Sequence, residues 1–563
     1  MRLLVIGGVA AGTSAAAKAR RNSEEAEIVI YDKGPDISYA GCDTPYFIGG
    51  LIKDIDELTP RGVDFFKKRY NIDVKIRHEV TAIDPKTRSL TVVDLENNET
   101  FSDHYDKLII ATGANSVIPP LPGVDQDHVF SLRTIRDAVK IDSFIKNNKV
   151  RSAAIVGSGS IGMEMTENLS RLGLEIHLIE MARHIYPAMD PDMSVHIERH
   201  LDSHNIKSYK NTRVMKIEKD HLLTAEDEKI FADMVILATG VKPEVSLAKA
   251  AGIKLGETGA IAVDDRMQTS NSDIYACGDC VEHFDLIRQK PAYYPLGSTA
   301  NKTGRICGDA ITGGSLTFRG VLGTGIFPVF DLSVARTGLN EYQAREEGYD
   351  IEIVHIIRPD KAASVGGENI IIKAVADRET EKLLGVQIVG KNGVDKRIDV
   401  LVTAMTLGAK VSDLFHLDLA YSPFHATAKD PVAYVGMVLD NAISKDKPIL
   451  TTEKLEELIK SNAKITIIDA RLLDNYAKGH VEQAVNISHE EIRERLDELD
   501  KDIPVVAYCN RGTTGNAVQN ILQNSGFKTV YTLSGGYQAY LSLHPELEEL
   551  EASDFEDSSA AGC

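Results

Sequence analysis

The sequence predicts a mixed α/β fold built from several domains, and three observations carry that prediction. The chain has 563 residues, too many for one core when a domain takes roughly 150. Short apolar strand-like runs alternate with helical stretches along most of its length. One local pattern (strand, glycine turn, helix, strand, acid) begins at Arg2 and returns at Ala153.

In the first copy, Arg2-Leu-Leu-Val-Ile6 is a strand and Gly7-Gly-Val-Ala-Ala-Gly12 the turn. An alanine-rich helix follows to Arg20-Arg21, and Glu27 to Tyr31 is a second strand ending at Asp32. This is the order of a Rossmann-like dinucleotide-binding βαβ unit. Gly7 and Gly12 let the backbone approach a pyrophosphate at the helix N-terminus, and Asp32 can accept from both ribose hydroxyls. Val9 departs from the usual pattern, standing where a middle glycine is common.

The second copy is complete. Ala153-Ala-Ile-Val156 is the strand, Gly157-Ser-Gly159-Ser-Ile-Gly162 the turn, and Met163 opens the helix; Glu175 to Ile179 then delivers Glu180. An acid there bonds the free ribose hydroxyl of NADH and repels the phosphate of NADPH, while Arg183 nearby keeps NADPH open. Two such units predict two dinucleotides exchanging electrons. Each unit closes on a similar strand and turn, one ending Thr112-Gly113 and the other Thr239-Gly240, as an internal duplication would produce. Beyond the second, Thr269 to Asp279 reads as a strand delivering an acid just past a glycine.

The net charge of -20 argues against binding nucleic acid or anionic lipid, so an anionic ligand needs local basic groups. No apolar run reaches membrane-spanning length, and Met1 leads straight into a strand without a charged leader, so the expected location is cytoplasmic. Six cysteines (42, 277, 280, 307, 509 and 563) form no disulfide framework. Cys277 and Cys280 have CxxC spacing but lack further zinc ligands, so packing is the expected role and no metal site is predicted.

Together the glycine turns, Asp32, Thr112-Gly113, Asp279 and the second unit resemble the flavoprotein disulfide reductases over roughly residues 1 to 440. That resemblance implies FAD on the first unit, with Asp279 at the flavin ribityl chain, and NADH on Gly157, Gly159, Gly162, Glu180 and Gly240. Ser38-Tyr-Ala-Gly-Cys42-Asp-Thr-Pro-Tyr46 resembles the signature of the single-cysteine branch, which includes coenzyme A disulfide reductases, persulfide reductases and NADH oxidases and peroxidases. Cys42 would then be the redox cysteine beside the flavin, with its thiol pKa lowered by a nearby helix dipole and the flavin. Ala10 and Ala11 stand where oxidases and peroxidases usually carry a histidine, which counts against oxygen or peroxide as the main acceptor.

Phe318 to Asp440 resembles the C-terminal dimerisation domain of these reductases, with Gly325 to Gly338 as a strand pair and Lys391 to Asp399 as the turn before a helix. A homodimer is implied, with Tyr421 of one subunit reaching the active site of the other as proton donor or orienter. His425 is read as structural. Lys18, Arg21, Ser38 and Lys429 match positions that can hold coenzyme A. Gly41 replaces a usual asparagine and Ser364 a usual tyrosine, which moves the expectation from disulfide toward persulfide.

Ser444 to Pro448 is a polar break. Beyond it Asp469-Ala-Arg471, Gly479-His480, Cys509-Asn-Arg-Gly-Thr-Thr-Gly515 and Gly535-Gly536 resemble in their order a rhodanese domain, and that resemblance implies Cys509 as the sulfur carrier. Thr514 sits where many rhodaneses have arginine, so thiosulfate is expected to be a poor donor.

The expected organisation is an FAD domain (1–113 and 241–320), an NAD(P)H domain (114–240), an α+β dimerisation domain (321–443), a linker (444–452), an α/β rhodanese domain (453–550) and an acidic tail (551–563) containing Cys563. The expected activity is NADH-driven, FAD-dependent reduction of a coenzyme A or other small-thiol persulfide, or of polysulfide, through a Cys42 mixed disulfide. Coenzyme A disulfide reduction with an auxiliary rhodanese domain is the alternative, and a flavin redox sensor the non-enzymatic one.

Overall fold

The computed structural model describes residues 1–544 and Leu547. The acidic tail with Cys563, and the end of the segment expected to be rhodanese, lie outside the described residues. The chain divides into one unit of residues 1–186 and 204–323 and another of 187–203 and 324–563.

The first unit contains two five-stranded parallel sheets. In one, the strand order is Ile274–Ala276, Lys107–Ile110, Arg2–Ile6, Glu27–Tyr31, Asp73–Lys75. The central strand pairs on both sides, Leu3 with Ile28 and with Lys107. Covered on both faces, it reads as a continuous apolar run, with Leu3, Leu4 and Val5 fully buried. The alanine-rich helix Ala11–Asn22 packs tightly on helix Gly297–Ile311. A Cβ at Gly304 would come 2.3 Å from the Ala11 carbonyl oxygen, so only glycine permits that approach.

The other sheet repeats the plan in the order Lys207–Tyr209, Glu175–Ile179, Ser152–Val156, Met234–Leu237, Val129–Phe130. The two antiparallel three-stranded sheets also correspond: His78–Asp84, Ser89–Asp94 and Glu99–His104 in one copy, Val214–Ile217, His221–Thr224 and Lys229–Phe231 in the other. Where the two copies end, Ala114–Ser116 and Val241–Pro243 pair antiparallel.

The second unit holds an antiparallel sheet in the order Gly325–Val329, Leu332–Gly338, Leu383–Gly390, Asn369–Asp377, Ile351–Pro359. The first two strands form a hairpin through Phe330, whose φ is +56°. Helix Val394–Leu407 starts inside the stretch expected to be the turn before it, because Gly393 at φ +69° makes the turn alone. A parallel sheet follows in the order Ile449–Leu450, Val530–Leu533, Val505–Tyr508, Thr466–Asp469, Val485–Asn486.

Two boundaries differ from expectation. Within residues 444–452, Ile449–Leu450 is already an edge strand on Thr532 and Leu533, and Thr451 caps helix Thr452–Lys460, leaving a shorter connection. Residues 187–203, expected in the NAD(P)H domain, belong to the second unit. Their helix Pro191–Ser203 is anchored there by buried charge: Lys373 Nζ lies 2.7 Å from Asp192 Oδ2, 2.9 Å from Glu341 Oε2 and 3.2 Å from Asp190 Oδ2. His355 Nε2 adds a 2.7 Å contact to Asp192 Oδ2. Charged residues carry no apolar period, so no pattern along the chain marks this anchor. Among the described residues, no helix is long and apolar enough to cross a membrane.

Candidate active site

Both glycine turns have the geometry that a pyrophosphate requires. Gly7 and Gly157 take φ of +102° and +105°, and a Cβ on Gly12 or Gly162 would fall 1.9 or 2.0 Å from the carbonyl oxygen of Gly7 or Gly157. The helices that begin there, Ala11–Asn22 and Ser160–Arg171, have no side-chain cap and no acid in the first turn, so their N-terminal N–H groups stay available to an anion.

The acids close these cradles. Asp32 Oδ2 accepts from Gly8 N and Oδ1 from Gly34 N, both at 2.7 Å. Glu180 Oε2 accepts from Ser158 N at 2.9 Å and its hydroxyl at 2.7 Å, and Oε1 from Ala182 N at 2.8 Å. A carboxylate has about four acceptor sites, so both acids keep capacity for a ribose hydroxyl. Burial raises the Asp32 pKa, while the Gly8 and Gly34 N–H groups oppose that rise. These features fit two bound dinucleotides, one at each acid, as the sequence leads one to expect for Asp32 and Glu180. Arg183 is exposed beside Glu180.

Thr112 Oγ1 donates to the Glu244 carbonyl at 2.6 Å, while Gly113 and Gly240 turn the chain at φ +73° and +98°. Asp279 accepts from Arg133 Nη2 at 2.7 Å, and its own carbonyl accepts from the Tyr293 hydroxyl at 2.9 Å. Arg133 was not singled out in the sequence because it stands in an ordinary polar stretch far from any motif.

Cys42 is exposed, in the single 3-10 turn Gly41–Asp43 that leads into the short helix Thr44–Ile48. Thr44 Oγ1 bonds the Gly41 carbonyl at 2.8 Å and fixes the turn. Contrary to expectation, the protein alone raises the thiol pKa. Desolvation by the surrounding chain is the largest cause, the carboxylates of Glu164, Asp43 and Asp279 add to it, and Arg133 opposes it. The helix dipole that reaches this sulfur is the N-terminus of Gly297–Ile311, because a Cβ on Gly297 would stand 4.0 Å from Cys42 Sγ.

Glu164 is the residue the sequence reading missed. Its carboxyl is pushed up to about 7, chiefly by burial, and accepts from the Tyr46 hydroxyl at 3.1 Å. Its position two residues beyond Gly162, the last glycine of the second turn, was the available signal.

Among the predicted coenzyme A residues, Lys18 pairs with Asp309 at 2.9 Å and bonds Asn22 Oδ1 at 2.8 Å. Arg21 is exposed, and Ser38, at φ +49°, donates its N–H to the Gly8 carbonyl. Cys277, Cys280 and Cys307 are buried in the core of the first unit.

The second unit carries Cys509 and Tyr421. Cys509, buried, ends strand Val505–Tyr508; Gly512 at φ +92° then turns the loop into helix Thr513–Asn524. The loop is held from behind. Arg471 Nη2 pairs with Asp469 Oδ2 at 2.7 Å, Tyr508 donates to the same oxygen at 2.7 Å, and the Arg471 guanidinium stacks 4.0 Å from the centre of the Tyr537 ring. Tyr537 N donates to the Cys509 carbonyl at 2.8 Å. Tyr421 is 56% exposed, with Phe424 and Lys429 also exposed on the same loop. His425 Nδ1 and Ser422 Oγ are 3.0 Å apart.

The family model for pyridine nucleotide-disulphide oxidoreductases matches residues 1–298, the model for the dimerisation domain of that family residues 326–448, and a rhodanese-like domain residues 451–543. A Methanocaldococcus jannaschii protein named NADH oxidase is 35% identical over 450 residues, covering 79% of this chain and 99% of its own. The coenzyme A disulfide reductase of Staphylococcus haemolyticus is 34% identical, covering 77% and 98%. Two solved structures extend across the whole chain. Reduced Bacillus anthracis CoADR-RHD matches with a TM-score of 0.94 at 35% identity, covering 97% of this chain and 98% of that one. An NAD-dependent persulfide reductase from A. fulgidus matches with a TM-score of 0.89 at 37% identity, covering 96% and 100%.

Proposed function

The chain belongs to the pyridine nucleotide-disulphide oxidoreductase family, and from that premise we propose that it uses NADH to reduce the persulfide of coenzyme A or a related small thiol, or polysulfide. The observation that carries this reading is the isolation of Cys42. It is exposed, whereas Cys277, Cys280 and Cys307 of the same unit are buried. With no accessible second thiol in its unit among the described residues, Cys42 forms its disulfide with the substrate.

The Cys42 thiolate attacks the carbon-bound sulfur of the persulfide, the S–S bond breaks, and hydrosulfide leaves with the electron pair. A mixed disulfide between Cys42 and the small thiol remains. Two electrons from NADH cleave it, giving the free thiolate, the Cys42 thiolate, NAD+ and a proton. When bound, FAD relays those electrons from nicotinamide to sulfur. Glu164, whose carboxyl is raised to about 7, can hold or release a proton around neutral pH, and the Gly297 helix N-terminus favours the thiolate.

Tyr421 is proposed to serve the active site of a second subunit in a homodimer, since its exposed loop belongs to the segment matching a dimerisation domain. Lys18, Arg21, Ser38 and Lys429 are proposed to meet coenzyme A. Cys509 is proposed to carry sulfane sulfur, supported by the rhodanese-like match and its buttressed loop. The second reading, coenzyme A disulfide reduction, draws on the name of the Staphylococcus relative.

Anaerobic reduction of the holoenzyme by NADH, followed by mixing with coenzyme A persulfide, coenzyme A disulfide or oxygen, separates the readings. Fastest reoxidation by the persulfide is expected; fastest reoxidation by the disulfide would give the second reading, and by oxygen neither.

A further inference from the structure

Strand Ile351–Pro359 of the antiparallel sheet presents Arg358 to the Cys509 loop. An Arg358 Nη2 hydrogen donates to Thr513 Oγ1 at the start of the helix that follows the loop. The guanidinium carbon lies over the ring of Tyr434 of helix Pro431–Ser444, 4.4 Å from its centre. It is close enough for its charge to interact with Cys509 and with Arg511.

Two further observations show that this cation is waiting for a partner. Arg358 Nε is buried without a hydrogen-bond acceptor. A buried donor left without an acceptor is costly, and a bound anion would remove that cost. Among the described residues, neither Arg358 nor Arg511 has a carboxylate within ion-pair distance, so two like charges flank the cysteine uncompensated.

The placement is also fixed. His355, three residues before Arg358 on the same strand, donates its N–H to Ser534 Oγ at 2.7 Å. Ser534 opens the Gly535-Gly536 turn, and that turn delivers Tyr537 N to the Cys509 carbonyl at 2.8 Å. A Cβ on Gly535 would press to 3.1 Å from His355 Cβ. Strand and loop are therefore tied by a short run of hydrogen bonds, and Arg358 cannot drift from the cysteine without breaking it.

We propose that Arg358, together with Arg511, forms an anion subsite over Cys509 that binds the negatively charged sulfonate end of an inorganic sulfane-sulfur donor, thiosulfate. Thr514 leaves the loop uncharged at that position, but Arg358 supplies the guanidinium from another element, so thiosulfate becomes a competent donor. The Cys509 thiolate attacks the sulfane sulfur, the S–S bond of the donor breaks, and sulfite leaves with the electron pair. Cys509 persulfide remains, and no external oxidant or reductant is needed. The proposal rests on reading Cys509 as a sulfur carrier, and its test keeps the two apart.

The test uses full-length holoenzyme and follows the Cys509 peptide by mass. Iodoacetate, an anion, and iodoacetamide, its neutral analogue, report the charge at Cys509 whether or not sulfur is transferred; thiosulfate reports transfer. For Arg358→Met the ratio of iodoacetate to iodoacetamide rates is expected to fall about tenfold. The thiosulfate concentration for half-maximal Cys509 persulfide should rise by at least a similar factor. Arg358→Lys should recover most of both, and flavin reduction by NADH in each variant checks that the chain has folded. An unchanged rate ratio in Arg358→Met, or no recovery in Arg358→Lys, overturns the subsite. If wild-type Cys509 takes no sulfur from thiosulfate, the proposed donor is overturned whatever the ratio; if it also takes none from a persulfide, the sulfur-carrier reading falls with it.

Discussion

The Tyr46 hydroxyl donates to Glu164 Oε1 at 3.1 Å, joining the cysteine-bearing segment to the helix that begins at the second glycine turn. Burial raises the Glu164 carboxyl to about 7, so around neutral pH its charge, and its electrostatic push on the Cys42 thiol, changes. Replacing Glu164 with Gln removes a carboxylate that raises the Cys42 pKa. The midpoint of the pH profile for Cys42 alkylation should move down, by about half a unit for a partly screened charge; an upward shift would contradict this.

The same group has a signature in stability. A carboxyl whose folded pKa is raised favours the fold while protonated. Its contribution is complete below about 4.5 and is lost as pH climbs through about 7. Thermal midpoints of Glu164→Gln should therefore exceed the wild type at pH 8 and approach it at pH 5.

Lys373 bridges Asp190, Asp192 and Glu341 inside the second unit. Its pKa is raised by those carboxylates against the penalty of burial, while Lys373 and His355 hold Asp192 below the usual range despite its burial. Lys373→Met leaves the acids uncompensated, at a cost of about 3–5 kcal/mol, and should lower the thermal midpoint sharply at pH 7. A depressed carboxyl stabilises above its unfolded pKa and loses that stabilisation as pH falls through its folded pKa, so the gap between variant and wild type should narrow as pH falls below about 4.

Arg471 braces the Cys509 loop through Asp469 and Tyr537. Arg471→Ala removes one member of a buried pair and is expected to abolish persulfide formation at Cys509 while leaving flavin reduction by NADH intact. Mass measurement of the Cys509 peptide beside anaerobic flavin spectra checks both halves.

Glu180 is oriented by Ser158 and Ala182 toward the second cradle. Glu180→Gln loses the charge and one of the two acceptor oxygens. With Arg183 exposed nearby, the ratio of kcat/KM for NADH over NADPH should fall about tenfold.

The two dinucleotide units were legible because their chemistry is local. Gly7, Gly12 and Asp32, and again Gly157, Gly162 and Glu180, lie within one βαβ stretch where turn, helix start and acid are fixed by short spacing. The rhodanese-like loop was legible for the same reason. What stayed hidden depends on residues brought together from far along the chain. Arg133 meets Asp279, Glu164 meets Tyr46, and Asp192 meets Lys373 across separations that no periodicity marks. The surroundings of Cys42 were hidden on that account: in the protein alone, burial and the carboxylates of Glu164 and Asp279 from distant segments raise its thiol pKa, whereas the expected lowering drew on a helix dipole and a bound flavin.

The central claim is that Cys42 takes the small thiol of a persulfide into a mixed disulfide and releases sulfide. Mixing NADH-free holoenzyme anaerobically with one equivalent of coenzyme A persulfide, then measuring the mass of the Cys42 peptide and the sulfide released, tests it most directly. The account predicts coenzyme A on Cys42 with one sulfide per subunit, and neither in Cys42→Ser. Sulfide release with Cys42 unmodified, or undiminished release from Cys42→Ser, would contradict it.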